Sequence, residues 1–440
     1  MGQRKHLSVF TLENGIKVLS YRMPYLKSIY IKVGVRGGRV FEPKNKKGVA
    51  HFTEHLIGSG TVSFPTEQEL VAHIESFAGS HALSTSFRFI EVDIHGPAPH
   101  LENLIRVLYE IVFKPIFSPL AFLSERKAIL NELAQKEEKP QTKIKRFYDQ
   151  SLVVPQSFLS LDALSTLHTT KRLKRKDLVS YWKKIAQPQN IHIVVGGNLD
   201  LKELRLRLQK TFGKEHNRSR ILTMPKCDQS YFRNKPISIQ HVPDYSQIYL
   251  DVNFPSVSMK HSLATRMIQR LLCSILADNR SSRLNTLLRI KNGVVYDIGT
   301  GGHVMDQFGY TGIYSRVAKN NLNKVIELIL QELRDFITRG PTEQEWENAK
   351  HYATDRELLR YDNPWSLLDN LEGNFLFEKQ ILFPDDWNSI RAKLTFRDAC
   401  KVVKKYWDVS KIQLCIQGNI KNTAQNRKKY QKLLNRYFLH

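Results

Sequence analysis

Cysteine is scarce in this sequence: Cys227, Cys273, Cys400 and Cys415 are the only four among 440 residues, and no two form a Cys-x-x-Cys pair. Such spacing excludes a disulfide framework and a thiolate metal cluster, so any bound metal must rest on histidine and carboxylate. Long apolar runs are missing as well. No window reaches the about 18 uninterrupted apolar residues that a bilayer-spanning helix needs. The opening MGQRKHLSVFTLENG is basic but has neither the apolar stretch nor the small-residue cleavage site of an export signal. His6 stands where a myristoylation signal carries Ser or Thr. A cytoplasmic chain with no membrane association is the expectation.

Acidic residues are in the minority, 42 Asp and Glu against 67 Lys and Arg, for a formal charge of +25. An excess of that size suits nucleic acid, an anionic surface or acidic peptides. The charges are scattered, however, and the basic runs Lys171–Lys176 and Arg427–Lys429 lack the interleaved aromatics on which single-stranded nucleic acid stacks. They read as solvated helix faces, and no nucleic-acid partner is expected. With 41% hydrophobic and 25% charged residues the chain has the composition of a folded globular protein. Its length suits two domains.

What is present is, first, a repeat. Asp177–Asn198 (DLVSYWKKIAQPQNIHIVVGGN) and Asp398–Asn419 (DACKVVKKYWDVSKIQLCIQGN) each run from a Lys-rich amphipathic helix into an apolar strand closed by Gly-Asn, and 398 − 177 = 221 without a gap. Pro119 and Pro341 each open a carboxylate-rich helical stretch, as proline at a helix start does. The expected domains are 1–213 and 236–440, joined by a polar linker over 214–235. In the first copy the pattern predicts strands over Lys17–Tyr21, Ile29–Val35 and Ala82–Ile94. It predicts helices over Gly48–Ile57, Glu67–Phe77, Leu101–Phe113 and from Pro119 onward. Strands grouped between helices without regular alternation imply an α+β fold, in which two homologous domains each have a mostly antiparallel sheet with helices packed on one face.

The chemistry sits in Gly48–Ile57, GVAHFTEHLI. His51 and His55, four residues apart, project from one helix face and can reach one ion, with Glu54 beside them to handle a proton. The order His-x-x-Glu-His is the inverse of the zincin motif.

Together with LENGIKVLS and GVRGGRVFEPKNKKGVAHFTEHLIGSGT, this segment resembles the pitrilysin/insulinase family of zinc peptidases, the inverzincins, over nearly the whole chain. The resemblance implies one zinc ion per chain held by His51, His55 and Glu132, with Glu54 as catalytic base. Glu132 follows the Glu125-Arg126 pair and lies 76 residues beyond His55 (132 − 55 − 1), and Glu125 is the supporting carboxylate. In the second half SRLNTLLRIKNGVVYDIG is similar to the family segment whose Arg and Tyr, here Arg289 and Tyr296, contact substrate and the developing oxyanion. The family's strand Asn is absent from FAGSHALSTSFRF, and His81 or Ser84 takes its place. Shifted by 221, positions 51, 54 and 55 become Leu272, Ile275 and Leu276, so the second half carries no zinc site. The implied activity is endopeptidase action on peptides or unfolded polypeptide enclosed by chain halves. The alternative is a catalytically idle peptide-binding subunit of a heterodimeric processing peptidase. Because the family site draws on opposing halves, the implied assembly is a homodimer, or a heterodimer with a paralogue.

Overall fold

The computed structural model describes residues 4–154, 163–216, 221–225, 232–233, 235–305, 308–378 and 380–438. In the first half, strands β1 (Leu7–Thr11), β2 (Lys17–Arg22) and β3 (Ser28–Arg36) precede helices α1 (Val49–Gly58) and α2 (Glu67–Glu75). They are followed by β4 (Ser80–Thr85), β5 (Phe89–Pro97), α3 (Leu101–Phe113), α4 (Pro119–Glu138), α5 (Pro140–Leu152), α6 (Ala163–Thr170), α7 (Arg175–Ile185), β6 (Ile191–Gly197) and α8 (Leu201–Lys210). The second half repeats the scheme with β7 (Ile237–His241), β8 (Ile248–Pro255), α9 (Leu263–Cys273), β9 (Val295–Val304), β10 (Gly309–Val317), α10 (Leu322–Arg339), α11 (Glu343–Arg360), α12 (Pro364–Phe377), α13 (Pro384–Ala392), α14 (Phe396–Tyr406), β11 (Gln413–Gly418) and α15 (Ala424–Tyr437).

The strand run expected over Ala82–Ile94 is a hairpin, β4 and β5, because residues 86–88 turn and Ser86 closes the turn by bonding to Phe89. Both sheets share one topology. The first is ordered β1-β2-β6-β3-β5-β4 and the second β7-β11-β8-β10-β9; in each a single parallel pair, β2 with β6 and β7 with β11, joins otherwise antiparallel strands. The repeat is visible in detail at Gly197 and Gly418, which end β6 and β11 with φ of +135° and +146°. A Cβ at Gly197 would lie 2.3 Å from the Ser28 carbonyl, so only glycine fits there.

Contacts divide the chain into two compact units. One comprises Met1–Glu138, Asp162–Pro225 and Arg360–Phe383, and the other Lys139–Leu161, Lys226–Leu359 and Pro384–His440. The sequence repeat and the contact units therefore differ: α5 belongs with the second sheet and α12 with the first, while half of the expected linker lies outside the described residues.

In the first unit the main core lies between one face of the sheet and the helical layer, where Val33, Val35, Phe52, Leu56, Leu104, Leu108, Leu178 and Trp182 are buried together. The opposite face of β2 and β6 is also apolar, through Leu19, Tyr21 and Val194, and α12 covers it with Leu367, Leu368 and Leu371. Polar ties seat α12 as well: Lys32 meets Asp369 at 2.6 Å and Glu372 at 3.0 Å, and His192 meets Glu372 at 2.6 Å. The second unit has its own core, in which Leu250, Val252 and Phe254 of β8 pack with α9, α10 and α14. Among the described residues no helix is long and apolar enough to cross a membrane.

Candidate metal centre

Helix α1 starts at a close approach to the side chains of α6. Gly48 has a φ of +88°, and a Cβ there would lie 2.6 Å from Thr170 Oγ1 and 2.8 Å from Thr166 Cγ2 of α6. The first free amides of the helix are capped by a side chain from upstream: the N–H groups of Gly48 and Ala50 donate to Glu42 Oε1 at 3.1 and 2.9 Å. Burial pushes the Glu42 carboxyl up from its ordinary range, and these two donors oppose the shift.

The apolar side of α1 (Val49, Ala50, Phe52, Leu56 and Ile57) is buried, which leaves His51 and His55 on the half-open side. Phe52 stacks on Phe122 of α4 with ring centroids 5.1 Å apart and planes at 5°. Arg126 also lies over the Phe122 ring, its Cζ 4.5 Å from the centroid, and donates to the Leu173 carbonyl. This seam aligns α4 along α1. Glu125 and Glu132, seven residues apart and hence on nearly the same helix face, both meet the histidines.

The imidazole rings of His51 and His55 are 4.8 Å apart and perpendicular. Glu132 Oε2 lies 3.6 Å from His51 Nε2 and 3.7 Å from His55 Nε2, and one ligand atom from each of the three residues falls within 4.8 Å of the others. Tetrahedral zinc with ligand bonds of about 2.0–2.1 Å separates its donors by roughly 3.4 Å, so both Glu132–imidazole distances fit the ion with a shift of a few tenths of an ångström. No comparable group occurs elsewhere among the described residues.

His55 Nδ1 lies 3.0 Å from Glu125 Oε2. A carboxylate there favours the proton on Nδ1 and leaves the Nε2 lone pair free for a metal. Burial, then the neighbouring His55, push the His51 imidazole down to about 4, so it is neutral near pH 7, as a ligand must be. For His55 burial works in the same direction, but contact with Glu125, then Glu54 and Glu132, outweighs it and the net shift is upward. Burial raises the Glu132 carboxyl, yet Lys136 and the two imidazoles prevail and hold it below its ordinary range. Lys136, one turn along α4, is ion-paired with Glu132 Oε1 and leaves Oε2 to the imidazoles.

Glu54 lies on the same turn as His55 and is buried; burial pushes its carboxyl up, the nearby His55 opposing. Strand β4 packs beside α1 as the outer strand of the first sheet. On it Ser84 is within 3.5 Å of Glu91, whereas His81 is half-buried and lines a separate recess with Lys32, Asp93 and Trp365.

Arg289 and Tyr296 belong to the second unit. Arg289 is carried on a π-helical turn, Asn285–Lys291, and its Cζ lies 5.6 Å from the Tyr296 ring. Arg316 approaches the same ring at 5.7 Å, and Tyr296 is 69% exposed. Leu272, Ile275 and Leu276, the counterparts of His51, Glu54 and His55, are core residues, and α9 packs on α14 as α1 packs on α7. Two contributors escaped the sequence reading. Lys136 had a usable signal in its i, i+4 spacing from Glu132. Glu42 had none, because its role depends on a chain crossing.

The model described as Insulinase (Peptidase family M16) matches residues 17–151, and that described as Peptidase M16 inactive domain matches residues 172–352. A Rickettsia felis protein named an uncharacterized zinc protease is 25% identical over 348 residues, 76% of this chain and 78% of its own. A Helicobacter pylori protein named non-peptidase homolog YmxG is 21% identical over 397 residues, 89% of each chain. The crystal structure of a protease from Helicobacter pylori shares the fold, with a TM-score of 0.81 at 17% identity over 93% of this chain and 99% of that one. With the first model on the half that carries His51, Glu54, His55 and Glu132 and the second on the half whose counterparts are apolar, the chain belongs to the pitrilysin/insulinase family, peptidase family M16.

Proposed function

We propose that this chain is a zinc-dependent endopeptidase acting on peptides or unfolded polypeptide segments. The observation that carries the reading is the convergence of His51, His55 and Glu132 on one point, with buried Glu54 on the same turn. Zinc, when bound, supplies Lewis acidity and draws down the pKa of water at its fourth position. Glu54 accepts the proton of the attacking water and delivers it to the leaving amine. Glu125 keeps the His55 ring turned to the metal, and Lys136 anchors the far oxygen of Glu132. The outer edge of β4 beside α1 offers unpaired backbone groups to which an extended peptide adds as a further strand.

The test separates metal binding from turnover. Glu54→Gln keeps the three ligands and is expected to hold about one zinc per chain while losing at least about a thousandfold in hydrolysis of a peptide library. His51→Ala and His55→Ala are expected to lose the metal itself, since two protein ligands seldom hold zinc. Undiminished turnover by Glu54→Gln sinks the assignment. The second reading, a peptide-binding subunit without activity of its own, draws support from the Helicobacter pylori relative named a non-peptidase homolog. It prevails if the wild-type chain binds peptides but cleaves none when zinc-loaded.

A further inference from the structure

The second unit contains a cavity of about 510 Å³ that the peptidase reading does not use. Along β8 the side chains alternate: Leu250, Val252 and Phe254 enter the core, so Asp251 and Asn253 project from the other face, against which α5 packs. Asp251 lines the cavity and is 8% exposed; Asn253, beside it, is fully buried. Among the described residues no hydrogen bond of ordinary geometry reaches Asp251 Oδ1 or the amide group of Asn253, although the Asn253 side chain lies near enough to Asp251 to favour its charged form. Buried polar atoms without partners are rare, because each forfeits its bonds to water.

A glycine makes the room that these oxygens occupy. A Cβ at Gly312 on β10 would lie 2.4 Å from Asn253 Oδ1 and 2.9 Å from Asp251 Oδ1, so both oxygens stand over bare backbone. The other charges around the cavity cancel in pairs. Lys145 meets Asp149 within α5 at 2.6 Å, and Arg316 of β10 meets Asp297 of β9 at 2.8 Å. Tyr148, Tyr310 and Tyr314, with Cys415 of the adjoining strand, remain neutral because burial raises them all. Asp251 is therefore the one carboxyl lining the cavity, among the described residues, without a cationic partner. The walls around it present tyrosine rings, whose faces attract cations.

We propose that this cavity binds an organic cation, a primary ammonium or guanidinium group, with Asp251 as its counter-ion. The group is carried either by a free diamine or polyamine or by a lysine or arginine side chain of a peptide. Burial pushes the Asp251 carboxyl up to about 8, Asn253 opposing and Asp149 adding to the rise. The empty site is thus mostly protonated at neutral pH, and an entering cation displaces that proton. Binding consequently releases a proton near neutrality and tightens as pH rises.

Isothermal titration calorimetry of the full chain tests this, with cadaverine as the free amine and Nα-acetyl-lysine amide as the peptide-borne one. One-to-one binding of either probe supports the site. Preference for cadaverine assigns it to free amines, and preference for the lysine amide assigns it to side chains. Wild-type affinity is expected to rise about tenfold from about pH 7 to about pH 9, with a binding enthalpy that depends on the buffer's heat of ionisation. Asp251→Asn, which removes a buried charge and leaves the shape, is expected to lose at least about tenfold in affinity. It should keep its peptide hydrolysis unchanged, so failure of this site is distinguishable from failure of the peptidase. No binding of either probe at millimolar concentration, or affinity independent of both pH and Asp251→Asn, overturns the proposal. The pH and buffer readouts use the wild-type chain and stand whether or not the variant folds.

Discussion

Single residues around the candidate metal centre separate into those placed to ligate a metal and those that aim the ligands. Glu125 is of the second kind: it contacts His55 Nδ1, on the side of the ring away from Glu132. Glu125→Ala frees the ring without removing a ligand, so zinc affinity is expected to fall by about 10–100-fold in a chelator competition while Glu54→Gln leaves it unchanged. Elsewhere in the first unit, burial pushes the Asp93 carboxyl up to about 7, Lys32 opposing and Glu91 adding to it. The folded state holds this proton while the unfolded chain, with an ordinary Asp near 3.8, releases it. The stabilisation is full below about pH 4 and is lost as pH rises towards about 7, an effect on the order of 1–4 kcal/mol. Asp93→Asn is expected to flatten that part of the Tm-against-pH curve. A wild-type melting temperature that climbs from pH 5 to pH 7 relative to the variant contradicts it.

At the scale of elements, the site depends on the seam between α1 and α4. Phe52 and Phe122 contribute no ligand, yet their stacking sets the lengthwise position from which Glu132 reaches the histidines. Phe52→Ala is expected to cost about 3–5 kcal/mol by denaturant melting and to weaken zinc binding as well, because the register of α4 loosens. Glu42→Ala leaves two buried amides at the start of α1 without an acceptor, for an expected loss of about 1–3 kcal/mol. The type of these elements was legible in sequence. The helix expected over Leu101–Phe113 spans those residues, and the one opened by Pro119 runs to Glu138. The helix expected from Pro341 starts at Glu343. What periodicity could not convey was the destination of α5 and α12, since an amphipathic helix shows that it has an apolar face and not which sheet covers it.

For the whole molecule, the resemblance to a family whose site draws on opposing halves leads to a quantitative expectation about assembly. If Arg289 and Tyr296 serve the metal centre of a second chain, then Glu54→Gln and Arg289→Ala, each nearly inactive alone, restore activity when mixed, up to about a quarter of wild type for random pairing of two-site dimers. Subunits that exchange, as followed by labelled chains, without any return of activity rule out the shared site. If chain halves enclose the substrate, as the family resemblance implies, a second consequence follows. A stably folded protein is expected to be spared while the same chain, unfolded, is cut, measured as the ratio of initial rates on the two forms.

The sequence alone determined the candidate metal-binding motif of the first half and how the chain repeats. Those properties are local: the spacing of His51, Glu54 and His55 on one helix, and a helix-to-strand pattern returning after 221 residues, need no knowledge of distant contacts. Tertiary structure decided everything that depends on two segments meeting. It brought Glu132 within 3.7 Å of both imidazoles, placed Glu42 at the start of α1, and stacked Phe52 on Phe122. It also put Asp251 over the bare backbone of Gly312. Helix period and strand alternation specify which face of an element is apolar, whereas the partner of that face is selected by packing across the fold, where residues far apart in the chain become neighbours.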